Sequence, residues 1–197
     1  MSETRSYPRH VKTDAGEIEF RLMTPADEAA VLDFAQKLPS HDLLFLPRNI
    51  SQPKVLSAWV NEIERGAITS LLAVKAGKVV GCGTLVRDPH SWSPHVGELR
   101  MVVSTDVRGQ GVGRALSQET FVLALGAGLE KLSVQMTVDQ RAAIALFESL
   151  GFKAEALLRD HVRDLDGKTH DIVVLGHNIA QFQAQLEAFG LPEAVQP

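Results

Sequence analysis

The sequence contains a single cysteine, Cys82, and a single tyrosine, Tyr7. One cysteine excludes an intrachain disulfide, so cohesion must come from a buried apolar core. A chain of 197 residues is long enough to form one. No stretch approaches the roughly 20 apolar residues that a membrane-spanning helix needs. Residues 1–12 are polar and charged and lack the apolar segment of a secretory signal. With the lone thiol, these absences make a reducing cytoplasm the expected location. Nor is there an excess of positive charge. The net charge of −4 leaves no electrostatic footprint for nucleic acid. What is present, 45% hydrophobic and 22% charged residues, is the composition of an ordinary globular domain.

Along the chain, strand-like and helix-like periods alternate. Residues 1–15 read as a flexible N-terminal arm ending in the turn-like Asp14-Ala15-Gly16. Residues 17–23 alternate apolar and polar side chains, as a half-buried strand does. Thr24-Pro25 followed by Asp27 and Glu28 is a helix start, with the proline in the first turn and acids at the positive end. Residues 39–50 carry no readable period. A second helix follows Ser51, with Val55, Leu56, Trp59, Val60 and Ile63 at helical spacing. Two apolar runs, 68–74 and 79–86, flank a glycine turn and predict a hairpin. Residues 96–103 read as a buried strand, 111–129 as a helix, 132–136 as a strand and 139–150 as a helix closed by Gly151. Asp166-Gly167 between residues 156–163 and 170–175 predicts another hairpin. Residues 178–189 predict a closing helix. The expected organisation is one mixed α/β domain over residues 16–176, with residues 177–197 as a C-terminal helix and tail packed on it.

The chemistry-bearing feature follows the strand at 96–103. Arg108-Gly109-Gln110-Gly111-Val112-Gly113 places three glycines at alternate positions, directly before a helix. Glycine lets backbone amides approach an anion and adopt positive φ without penalty. The helix start adds amides without acceptors and the positive end of its dipole, which together suit phosphate groups. Arg108 and Arg114 flank the loop as cationic donors. The spacing departs from the G-x-G-x-x-G of dinucleotide folds, and Arg114-Ala115 stands where a triphosphate loop has Lys-Ser/Thr.

The two blocks 98–113 and 143–152 resemble the GNAT (GCN5-related N-acetyltransferase) superfamily. Arg108 to Gly113 fits its Arg/Gln-x-x-Gly-x-Gly/Ala acetyl-CoA motif, and Ala143-Ile144-Ala145-Leu146-Phe147-Glu148-Ser149-Leu150-Gly151-Phe152 is similar to its later helix and strand. The resemblance covers roughly residues 17–176. It implies a mixed, twisted sheet of about seven strands flanked by helices and splayed at the fourth strand. It further implies acetyl-CoA or another acyl-CoA as co-substrate, without a metal. The amides of Arg108, Gly109, Gly111, Gly113 and Arg114 would hold the pyrophosphate, and the main chain of Met101 and Val103 the pantetheine arm. Gln140 stands where many members have a cofactor-binding asparagine, and Phe147 where many have a tyrosine that protonates the departing thiolate.

The implied reaction is direct attack of an amine, small-molecule or protein, on the thioester in a ternary complex. A non-catalytic CoA-binding regulatory or interaction module is the alternative, suggested by the missing tyrosine. A homodimer is a further possibility, and neither nucleic acid nor a membrane is an expected partner. Glu98, a carboxylate in an apolar strand, is the first candidate base, and an ion pair with Arg100 on the same strand face is its competing role. His161 is a weaker candidate base. His161 and His170 flank the last hairpin near Asp160, Asp164 and Asp171, where a solvated face is the ordinary reading and a metal site the unusual one. Asp139 reads as a helix cap or first-turn charge. Cys82 reads as a buried, inert thiol.

Overall fold

The computed structural model describes residues 6–179. Eight strands form one sheet in the order β1-β2-β3-β4-β5-β6-β8-β7. They are β1 (Arg9–Thr13), β2 (Gly16–Leu22), β3 (Ile68–Lys75), β4 (Lys78–Val86), β5 (Val96–Val103), β6 (Lys131–Thr137), β7 (Lys153–Arg163) and β8 (Thr169–Asn178). Among the described residues the α-helices are α1 (Glu28–Gln36), α2 (Pro53–Glu64), α3 (Val112–Gly126) and α4 (Arg141–Ser149). The sheet therefore has one strand more than expected, at its start.

For the described residues 6–15, that extra strand corrects the reading of residues 1–15 as a flexible arm. Arg9–Thr13 pairs antiparallel with β2, from Arg9↔Phe20 to Thr13↔Gly16. Asp14-Ala15 is its hairpin turn, closed by Gly16 at φ +100°. Tyr7 and Val11 pack against the cluster around Ile18 and Phe20. The hydroxyl of Tyr7 donates to Glu119 Oε2 on α3 at 3.1 Å, and Arg9 lies 3.5 Å from the other carboxylate oxygen. A five-residue strand with one strong apolar side chain is too short for its alternation to stand out in sequence. The expected boundary at 176/177 is also corrected, because β8 continues through it to Asn178. Residues 180–189 of the expected closing helix lie outside the described residues.

The periodicities assign each helix to a sheet face. Val31, Phe34 and Ala35 of α1 join Leu56 and Val60 of α2 over Leu72, Val74, Cys82 and Val102. On the other face, Val112, Ala115 and Leu116 of α3 cover Ile18, Phe20, Leu71 and Ala73. Phe147 of α4 and Ala124 of α3 share a third cluster with Leu99, Leu132, Val134 and Leu175. Removing this apolar surface from water makes these clusters the main source of stability.

The pairing that positions the site is β5 with β6. It is the one parallel pair in a sheet whose other ladders are antiparallel. Its register covers only Val96↔Lys131 to Leu99↔Val134. Beyond it, β5 runs on to Val103 and β6 to Thr137. The β5–β6 ladder therefore opens toward the carboxyl ends of these strands, where the glycine loop begins. In the chain's own count this is the fifth strand, shifted by one because of β1.

Candidate active site

The glycine loop reaches α3 through a short 3-10 turn at Thr105–Val107. Gly109 and Gly111 have φ of +70° and +81°. Gly111 is the N-cap residue of α3. Those angles explain why a residue without Cβ stands at both positions. No atom lies within 4 Å of a Cβ built at Gly109, and at Gly111 the nearest is Thr13 Cβ at 3.7 Å. A Cβ at Gly113 would lie 3.8 Å from Val103 and 3.9 Å from Leu146, so this glycine sits where β5 faces α4. An exposed glycine surface at a helix start, beside two diverging strands, fits a phosphate-bearing ligand whose arm enters the opening.

The two arginines have different surroundings. Arg114 is exposed and donates to Ser149 Oγ on α4 at 3.2 Å. Arg108 is turned back. Its guanidinium donates to the Val103 carbonyl at 3.0 and 3.2 Å and to Asp42 Oδ2 at 2.7 Å. The main-chain carbonyl of Val103, expected to serve a cofactor, is thus engaged by Arg108. Met101 is half-buried between the two clusters on the α3 and α4 side. Gln140 caps α4 on the other lip of the opening, its amide bonded to the carbonyl of Thr137 at 3.0 Å. Phe147 is only 5% exposed and meets Phe152 edge-on at 5.1 Å between ring centroids. Its ring is core as the structure stands.

Glu98 adopts the ion pair. Its carboxylate accepts from Arg100 Nε at 2.9 Å and from Nη2 at 2.8 Å. It lies opposite Ser133, at the closed end where β5 and β6 are still paired. Arg100 in turn lines a cavity of about 280 Å³ with Leu46, Ile50, Val55, Trp59 and Thr84. The Trp59 indole N–H donates to Ser70 Oγ at 3.1 Å, and Ser70 bonds Thr84 at 3.1 Å, which links two of the lining residues.

His161 does not reach the opening. It is exposed within the β7 irregularity between Leu158 and Val162, next to Asp160 at φ +49°. The structure brings in its hairpin neighbour instead. His170 Nε2 is 2.7 Å from Asp164 Oδ2, and its ring meets that of His41 edge-on at 5.0 Å. His41 Nε2 is 2.8 Å from Asp139 Oδ2 and 3.5 Å from Thr137 Oγ1. Asp139 therefore has a specific partner besides its place before α4. Burial works to raise its carboxyl, but the Thr137 hydroxyl, its own amide and the His41 ring together hold it below the ordinary value. The Asp164 carboxyl is likewise held low, chiefly by the hydrogen bond from His170. Among the described residues no group of three or more His, Cys, Asp or Glu side chains is arranged to hold a metal ion.

His41 was not legible as a site residue. It lies in the 3-10 turn Ser40–Leu43, inside the stretch without a period. Of the two histidines that the sequence marks on the last hairpin, His161 and His170, only His170 meets the His41 ring. Cys82 is buried as expected, and burial pushes its thiol up to about 12. No helix among the described residues is long and apolar enough to cross a membrane.

The profile of the Acetyltransferase (GNAT) family matches residues 36–152. The chain is 33% identical over 103 residues to N-acetylaspartate synthetase of Xenopus tropicalis, covering 52% of this chain and 36% of the relative. It is 32% identical over 74 residues to the ribosomal protein bS18-alanine N-acetyltransferase of Escherichia coli K12, covering 38% and 50% respectively. The chain thus spans about half the length, or less, of the curated relatives it matches. Its fold is similar to a solved GNAT acetyltransferase from Streptococcus pneumoniae, with a TM-score of 0.71 at 23% identity over 82% of this chain and 99% of the other. A Salmonella typhimurium structure solved with its cofactor acetyl-CoA has a TM-score of 0.70 at 19% identity, over 82% and 94%. With an opened parallel pair, a glycine loop at its end and a profile match over more than half the chain, this protein belongs to the GNAT acetyltransferase family.

Proposed function

We propose that the chain is an N-acetyltransferase that moves an acetyl, or another short acyl, group from acetyl-CoA to an amine held beside it in one ternary complex. The observation that carries this reading is the opening between β5 and β6, with the left-handed Gly109 and Gly111 at its end. The amides from Arg108 to Arg114 would hold the pyrophosphate, and Met101, Val103 and Gln140 would border the pantetheine arm. Bound there, acetyl-CoA supplies an activated thioester carbonyl. A main-chain amide of β5, that of Val103 for example, could stabilise the developing oxyanion.

The acceptor would approach from the α1/α2 face, where the cavity beside Arg100 lies. A volume of about 280 Å³ is at the small end of ligand pockets. Its apolar wall and the charged Arg100 and Glu62 at its lining suit a small amine with an apolar body and a polar end. A protein amine would need a longer groove across that face.

Thiol release from acetyl-CoA over a panel of free amino acids, polyamines, aromatic amines and alanine-terminated peptides tests the reading. Amine-dependent release with an acetylated product is the expected result. Phe147, which supplies no hydroxyl at the family's tyrosine position, favours a second reading as a CoA-binding module. Tight CoA binding with no amine acetylated would select that one.

A further inference from the structure

We propose, on the reading of this chain as an N-acetyltransferase, that His41 is the general base for the acceptor amine, oriented by Asp139 and packed in place by His170. A general base must present a lone pair where substrate can reach it. The carboxylate of Asp139 takes the Nε2 side of the His41 ring, at 2.8 Å. In the proposed arrangement Nε2 carries the proton that Asp139 accepts and Nδ1 is the acceptor, since a neutral imidazole carries one of each. A carboxylate that orients an imidazole in this way also stabilises the imidazolium once it forms. The His41 side chain is 34% exposed, so the ring is held and yet accessible.

Its place in the fold is specific. His41 reaches Thr137, the last residue of β6, while the next residue, Asp42, bonds Arg108, whose guanidinium also holds the carbonyl of Val103 at the end of β5. Two consecutive residues of one 3-10 turn therefore grip opposite lips of the opening, and the turn lies across it. His170 backs the His41 ring from β8, its own Nε2 held by Asp164. The charged and titratable groups around His41 are Asp139, His170 with Asp164, and Asp42 with Arg108.

Glu98 is placed differently. Both of its oxygens are engaged by Arg100, and it lies in the closed part of the ladder.

In the proposed step the acceptor ammonium gives one proton to Nδ1 of His41. The freed nitrogen lone pair forms the C–N bond at the thioester carbonyl, and the C–S bond breaks with its electron pair leaving on sulfur. The nitrogen sheds its second proton, which the thiolate takes up, and His41 returns its proton to water. One acyl group is transferred and one proton is released per turnover. No phenol is required, which accounts for Phe147.

The test is kcat/KM against pH for the wild type, His41→Gln, Asp139→Asn and Glu98→Gln, with acetyl-CoA and the best amine of the panel. Acetyl-CoA affinity by calorimetry and a thermal melt accompany each variant. His41→Gln is expected to lose about 100-fold or more in kcat/KM and to lose the acid limb of the profile, with acetyl-CoA affinity changed by less than about threefold. Asp139→Asn should move the limb with a smaller loss, and Glu98→Gln should retain it. A wild-type rate and limb in His41→Gln, or a limb that follows Glu98, overturns the proposal alone. No acetylation of any amine overturns the acetyltransferase reading and this step with it. Should His41→Gln fail to fold, imidazole 15N spectra of the wild-type protein decide: a proton on Nε2 and a bare Nδ1 support the assignment, and a proton on Nδ1 overturns it.

Discussion

At the scale of single residues, the three glycines of the loop do different things although the motif spaces them evenly. Gly109 and Gly111 stand at positive φ, whereas Gly113 has an ordinary helical backbone and sits against Val103 and Leu146. A left-handed conformation costs a residue with a Cβ roughly 1–2 kcal/mol. Gly111→Ala is therefore expected to lower both the melting temperature and acetyl-CoA affinity. Gly113→Ala should leave the melt unchanged and weaken binding alone, because its methyl would project between β5 and α4. Calorimetric titration and thermal melts of the two variants separate these effects, and wild-type affinity in both would remove the loop from the cofactor site. The motif was legible because its constraint is local. The pairing of Glu98 with Arg100 was legible for the same reason, since side chains two apart on a strand share a face.

At the scale of elements, the start of α1 shows how a sequence signal acquires its strength from tertiary contact. Thr24 and Asp27 were readable as a helix start. In the structure Asp27 closes the turn, accepting from the Thr24 amide at 2.9 Å, and also takes both guanidinium nitrogens of Arg21 on β2, at 2.6 and 2.8 Å. The hydrogen bond from Arg21 is the main cause that holds its carboxyl at about 2, against an ordinary 3.8. A carboxyl depressed on folding stabilises the protein above its unfolded value and loses that contribution as pH falls toward the folded one. Asp27→Asn should thus cost about 1–2 kcal/mol near neutral pH, after allowance for solvent screening. The gap to the wild type should close as pH drops from about 4 toward 2. Urea denaturation of both proteins along that pH series measures it, and a constant gap would mean that the ion pair contributes nothing.

At the scale of the whole molecule, the segment from Tyr7 to Thr13 belongs to the fold. Tyr7 and Arg9 both reach Glu119, which is 4% exposed on α3. Weakening hydrogen bonds to a buried charged group is costly. Tyr7→Phe combined with Arg9→Ala is expected to destabilise the chain by about 1–3 kcal/mol in chemical denaturation. A loose arm would predict no change. The same long-range logic governs the opening, since the 3-10 turn at Ser40–Leu43 joins the ends of β5 and β6 through His41 and Asp42, at separations of 96 and 66 residues.

The amino-acid sequence by itself determined the succession of strands and helices from β2 to the last hairpin, the glycine loop and the buried state of Cys82. Each follows from periodicity, turn chemistry or composition within a short window, which is where local physics acts. Only the tertiary structure decided that β1 adds an edge strand to the sheet, that the β5–β6 ladder stops at Leu99, and that Arg108 turns back to Val103 and Asp42. It also packed His170, and not His161, against His41, and set His41 from an unpatterned turn against Asp139. Those outcomes depend on strand register and on side-chain hydrogen bonds between segments far apart in the chain, which no local period encodes.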